Sequence, residues 1–169
     1  GRSEQIFPGE EKVIVPSPQV VSYALRPEMS AAQVGEKVAR SVESSDFRVI
    51  IANLANVDVV GHIEDKAAVL RAVEEVDRQL GKIVEACRKN RITLFVTSDH
   101  GTVEEWLYED GSVNTGHTRN PVPFIFCDFY EEERLLRLKE EGELADVAPA
   151  LLELVGVKKP PEMTGESLL

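Results

Sequence analysis

Val34, Val38 and Val42 recur every four residues, a spacing that lays one apolar stripe along a helix of about four turns. Ser30 and Gln33, just upstream, have the S-x-x-Q spacing of a capping box and mark where that helix should begin. The period then changes. RVIIANLA, Arg48–Ala55, is a nearly continuous apolar run of the kind expected for a strand covered on both faces. Between about Asp65 and Lys89 helical spacing returns through Val69, Val73, Val76, Leu80, Ile83, Val84 and Cys87, with charged residues between them. ITLFVTSD, Ile92–Asp99, is a second buried strand, so strand, long helix and strand predict a βαβ unit with parallel strands. A third apolar strand, Val122–Phe129, follows a loop with a small hairpin expected around Asp110 and Gly111. Leu135–Glu141 reads as a charged surface stretch. Asp146 can cap a last helix with Pro149 in its first turn; Leu151, Leu152, Leu154 and Val155 would supply its buried face and Gly156 its end. Val13–Val15, ahead of two prolines, reads as an edge strand or an extended arm, and PPEMTGESLL as an extended tail.

At 169 residues these elements fit one α/β domain, 1–169, in which 1–29 is an arm or connector. Apolar residues make up 43% and charged residues 29%, the balance of an ordinary globular protein. No apolar run approaches the length of a membrane span, and GRSEQIFPGEE lacks the basic end and apolar centre of a signal peptide, so a cytoplasmic protein without a membrane partner is expected. A net charge of −11 argues against nucleic acid, whose backbone needs clustered Lys and Arg. Cys87 and Cys127 form no CxxC pair and sit in apolar segments, which predicts buried thiols of a reducing compartment.

Ligands of open α/β sheets bind beyond the carboxyl ends of parallel strands, which turns attention to the residues after each apolar run. Asp58 and His62 follow the first in NVDVVGH, Asp99 and His100 follow the second in TSDHG, and His117 precedes the third in GHTRNPVPF. All three histidines of the chain are thereby expected in loops at one mouth, two of them close to an aspartate. Carboxylate and imidazole ligands suit Zn, Mn or Fe(II), with water or substrate in the remaining positions. Two metals about 4 Å apart can clamp the attacking and leaving oxygens of a phosphoryl transfer, so phosphate-ester chemistry leads.

NVDVVGH, TSDHG, HTRNPVPF, LADVAPALLELVGV and PEMTGESLL, in this order, together with the opening FPGEEKVIVPSPQV and LRPEMSA, resemble cofactor-independent phosphoglycerate mutases of the alkaline phosphatase superfamily over essentially the whole chain. The resemblance implies an alkaline-phosphatase-like three-layer α/β/α fold with a largely parallel sheet, incomplete relative to the family. It implies two manganese ions and no organic cofactor, with Zn, Co or Fe as substitutes: Asp58, His62 and His117 would match the ligands of one ion, Asp99 and His100 those of the other. The family's phosphorylated serine, a further aspartate, and the arginines and lysine that hold phosphoglycerate have no counterpart in this chain. Ile63 and Glu64 stand where the family often has Thr-Gly, and Thr102 where it has an amide, changes that bear on hydrogen bonding around the ligands. Ser98 and Thr97 read as strand-end residues and Ser112 and Thr115 as loop residues, none a substitute nucleophile.

Three functions follow from these residues. The first is the C-terminal metal-binding portion of a mutase that interconverts 3-phosphoglycerate and 2-phosphoglycerate through a phosphoserine, inactive by itself. The second is a stand-alone metal-dependent phosphatase that needs no serine. The third is an assembly module whose exposed sheet is covered by the absent N-terminal portion or by a second copy.

Overall fold

The structure is a computed structural model that describes residues 7–130 and 137–169. Helix α1, Ala31–Ser44, and helix α3, Lys66–Asn90, occupy the two segments of helical period, and a short helix α2, Asn56–Gly61, lies between them. Strand β1, Leu94–Val96, is followed by a long connection and by strand β2, Ile125–Cys127; helix α4, Val147–Leu154, comes last. The architecture is α/β, as the sequence predicts.

Helix α3 is the spine. Its start is fixed by Asp65, whose carboxylate accepts from the Ala68 amide at 3.0 Å, and Arg91 closes its end in the left-handed conformation. One end buries Ala68, Val69 and Ala72 against Val60 of α2, with Tyr23 and Trp106 packed around them. The other buries Ile83, Ala86 and Cys87 against Val42 of α1, with Leu94 and Phe129 beside them. Between the two clusters the buried positions are polar: Glu75 accepts from Gln79 at 2.6 Å and pairs with Arg78. The buried stripe is therefore rotated from the valine positions of the sequence, and Leu70 and Val73 face outward. Gly35 of α1 lies over Gln79, where a Cβ would stand 2.7 Å from the amide oxygen, so the absence of a side chain sets how closely α1 and α3 cross.

Several expectations are corrected. Arg48–Ala55 forms no ladder among the described residues, and Ile51 within it is 84% exposed; an extended segment becomes a strand only when a neighbour takes up its backbone groups, and none does here. The βαβ unit is absent for the same reason. β1 instead pairs antiparallel with β2, Leu94 opposite Cys127 and Val96 opposite Ile125, because the connection returns the chain to the end of β1 that it left. The capping box at Ser30 does not close: the Ser30 hydroxyl donates to the Pro16 carbonyl at 2.7 Å and pins the N-terminal arm. Val13–Val15 makes no ladder and continues that arm. Cys127 is half-buried, in contrast to Cys87. The stretch expected over Leu135–Glu141 lies partly outside the described residues.

The hairpin around Asp110 and Gly111 is present, bridged from Leu107 to Val113. Helix α4 buries Pro149 and Ala150 most deeply, with the predicted leucines half-buried beside them. Asp146 does not cap it. Its carboxylate accepts from the amides of Glu143 at 2.8 Å and Glu166 at 2.7 Å, holding the tail so that Leu168 is buried. Among the described residues no helix is long and apolar enough to cross a membrane.

Candidate metal centre

Antiparallel pairing puts the end of β1 beside the start of β2, so the whole connection 97–124, with Asp99, His100 and His117, projects from one end of the ladder. Helix α2 supplies the rest. Asn56 at its first position is buried and its side-chain amide donates to the Ala72 carbonyl at 2.9 Å, locking α2 onto the spine; Val60 is buried beneath it. Gly61 lets the helix approach the connection closely, since a Cβ there would stand 2.8 Å from Thr102 Cγ2. Asp58 and His62, four residues apart, share the face turned to the histidines. Asp58 thus sits in a helix and His62 at its end, where loops were expected, because NVDVVGH buries Asn56 and Val60 on one side.

Asp58 Oδ1 is the hub. It lies 3.2 Å from His62 Nε2, 3.1 Å from His117 Nε2 and 3.6 Å from His100 Nε2. The His100 and His117 rings stack at 3.5 Å between centroids with a 12° tilt, and His62 stands 5.2 Å from His117. One ligand atom each from Asp58, His62 and His117 lie within 4.8 Å of one another. Asp99 is set apart, 84% exposed at its side chain and linked by a 3.7 Å approach to His100 Nε2, which leaves His100 between two carboxylates.

The far side of each ring decides what the near side can do. His62 Nδ1 is 2.5 Å from the Thr115 carbonyl oxygen, and His100 Nδ1 is 3.3 Å from the Gly101 carbonyl and 3.2 Å from the Thr102 hydroxyl. A carbonyl only accepts, so Nδ1 carries the proton and a neutral ring keeps its lone pair on Nε2. Two such lone pairs then face a carboxylate oxygen, acceptor against acceptor. A divalent cation among them converts that repulsion into coordination, and one oxygen with imidazole nitrogens is a donor set that fits Mn, Co, Zn or Fe(II). Thr102 engages His100 through its hydroxyl.

Two hydroxyls near the site are otherwise engaged: Ser98 donates to the His100 carbonyl at 2.7 Å and Ser112 to Asp110 at 2.6 Å. Sequence reasoning missed Glu104. Its carboxylate accepts from the Thr102 amide at 2.7 Å, from Asn120 Nδ2 at 3.2 Å and from the Thr118 hydroxyl. The Thr118 hydroxyl, ahead of the Thr102 amide and Asn120, holds the Glu104 carboxyl below the usual glutamate range.

Known proteins are similar to this chain in sequence and in fold. A 2,3-bisphosphoglycerate-independent phosphoglycerate mutase of Pseudomonas fluorescens strain Pf0-1 is 46% identical over all of this chain and 33% of its own length. The mutase of the same name from Pseudomonas syringae pv. tomato is 45% identical over 100% of this chain and 32% of its own length. The chain thus spans about a third of the length of the curated relatives it matches. A crystal structure of Leishmania mexicana phosphoglycerate mutase at low cobalt concentration superposes with a TM-score of 0.81 at 28% identity, covering 91% of this chain and 30% of the other. The sequence profile of the metalloenzyme superfamily matches residues 1–159. Because that match runs through every element from the arm to the end of α4, the chain belongs to the metalloenzyme superfamily.

Proposed function

We propose that this chain is the C-terminal, metal-holding part of a cofactor-independent phosphoglycerate mutase, which in complete form interconverts 3-phosphoglycerate and 2-phosphoglycerate through a phosphoserine. The observation that carries the reading is the convergence of three imidazole Nε2 atoms on Asp58 Oδ1, with two of the rings held at Nδ1 by backbone carbonyls. Asp58, His62 and His117 would hold one divalent ion, and Asp99 with His100 part of the shell of a second. Manganese is the expected metal in a cytoplasmic glycolytic enzyme; the cobalt named for the Leishmania mexicana relative supports a site that accepts first-row metals. Bound there, the ions supply positive charge for the oxygens of a phosphoryl group in transfer.

Residues 1–169 act as one partial domain with 1–29 as its arm, and the absent portion of the longer protein covers the exposed apolar run around Ile51. By itself the chain holds neither the nucleophile nor the phosphoglycerate clamp, so it has no mutase turnover. Calorimetric titration of the purified chain with Mn²⁺ tests the metal reading. Saturable binding is expected, and Asp58→Asn should weaken it by roughly tenfold or more, since even losing a partner of a ligand costs on the order of 10–100-fold. Equal binding by the variant would overturn the assignment of Asp58. Conversion of 3-phosphoglycerate by the chain with Mn²⁺, at a rate near that of an intact mutase, would overturn the partial-enzyme reading.

A further inference from the structure

His100 and His117 reach Asp58 from opposite limbs of the connection between β1 and β2, and next to both rings a main-chain bridge joins those limbs, the Thr118 amide donating to the Gly101 carbonyl at 2.9 Å. Glu104 sits across that bridge. One carboxylate oxygen accepts from the Thr102 amide, next to Gly101; the other accepts from the Thr118 hydroxyl and the Asn120 side chain on the opposite limb. Asn120 is also held by Glu105, at 3.0 Å. Gly101 makes the arrangement possible, because a Cβ there would collide with both the Glu104 carboxylate and the Thr118 hydroxyl. A glutamate that only solvated a surface turn would need neither partners on two limbs nor a glycine beneath it.

We infer that Glu104 is a positioning residue for the metal centre, a carboxylate clasp that locks the His100 limb to the His117 limb and so fixes the spacing of their two rings. Its hydrogen bonds end one residue from His117, at Thr118, and at Thr102, whose hydroxyl orients His100 Nδ1. The stacked rings, 3.5 Å apart, are thereby held at a fixed spacing, each ready for its own ion, before either ion arrives. Pre-orientation of this kind acts on affinity and coordination geometry rather than on ligand count. The inference rests on the metal-binding function proposed above, and it adds a residue that touches no metal.

The experiment uses the full chain and two readouts, amide hydrogen exchange without metal and Co²⁺ titration followed by visible absorption. In Glu104→Ala the Thr102 and Thr118 amides should lose protection while the amides of α3 keep theirs. Co²⁺ affinity should fall about 10–100-fold, with a changed absorption band. Glu104→Gln keeps one acceptor oxygen and should fall between the two. Thr118→Val removes one arm of the clasp and should add little to Glu104→Ala in the double variant, which also serves if Glu104→Ala folds poorly. Unchanged exchange at both amides in Glu104→Ala, or unchanged exchange and cobalt spectrum in Thr118→Val, would overturn the clasp. Failure of the unsubstituted chain to bind Co²⁺ would overturn the metal-binding function instead, and the exchange readout would still judge the clasp.

Discussion

At the scale of single residues, the same donor chemistry serves two ends of the molecule. Asp146 shows it most simply: two backbone amides, Glu143 first and Glu166 second, hold its carboxyl below the usual aspartate range. A depressed folded value means that the unfolded chain takes up the proton first as pH falls. The anchoring of the tail is therefore complete above the ordinary aspartate range and is lost as pH drops through the lowered value. Amide proton shifts of Glu143 and Glu166 followed through an acid titration should move together, and Asp146→Asn should abolish that transition. At the proposed metal centre the candidate ligands could be read from the sequence, because His is scarce in this chain and each one follows or precedes an apolar run. Their supports could not. Nothing in one sequence distinguishes Glu104 from the other acidic residues of a strongly acidic chain, and the carbonyls of Thr115 and Gly101 that orient two rings belong to the backbone.

Among elements, the crossing of α1 and α3 is set by what is missing from Gly35. Replacing it with alanine improves helix propensity by about 1 kcal/mol. The added Cβ, however, would lie 2.7 Å from Gln79 Oε1 and 3.0 Å from Gln79 Cβ, and Gln79 is buried and bonded to Glu75. Overpacking of that kind costs about 1–3 kcal/mol, so Gly35→Ala should lower the urea midpoint despite its better propensity. Helices α1, α3 and α4 follow from periodicity and local stops, which are properties of the segment itself. Strand pairing is not. Arg48–Ala55 has the composition of a buried strand, yet its state depends on a neighbour, and β1 with β2 carried no mark in the sequence of the direction in which they would pair. Asp58 was placed in a loop for a related reason: six residues of α2 are too few to display a period, and tertiary contacts of Asn56 and Val60 hold the turn.

Across the whole molecule, the proposed metal centre and the bare apolar run lie on a chain that spans a third of its relatives' length. Ile51 at 84%, Ile14 at 81% and Val21 fully exposed are costs that a net charge of −11 offsets in dilute buffer by mutual repulsion. That repulsion has a range of about 8 Å at physiological ionic strength and about 3 Å in molar salt, while sulfate strengthens apolar association. Salt rather than heat is then what should drive copies of this chain together. Light scattering should rise with ammonium sulfate at constant temperature, and Ile51→Lys should move the onset to higher salt. The ribbon around Ile51 also bears on crystallisation: sulfate precipitants should favour lattices in which that ribbon is a contact, and growth from low-salt polyethylene glycol should leave it open.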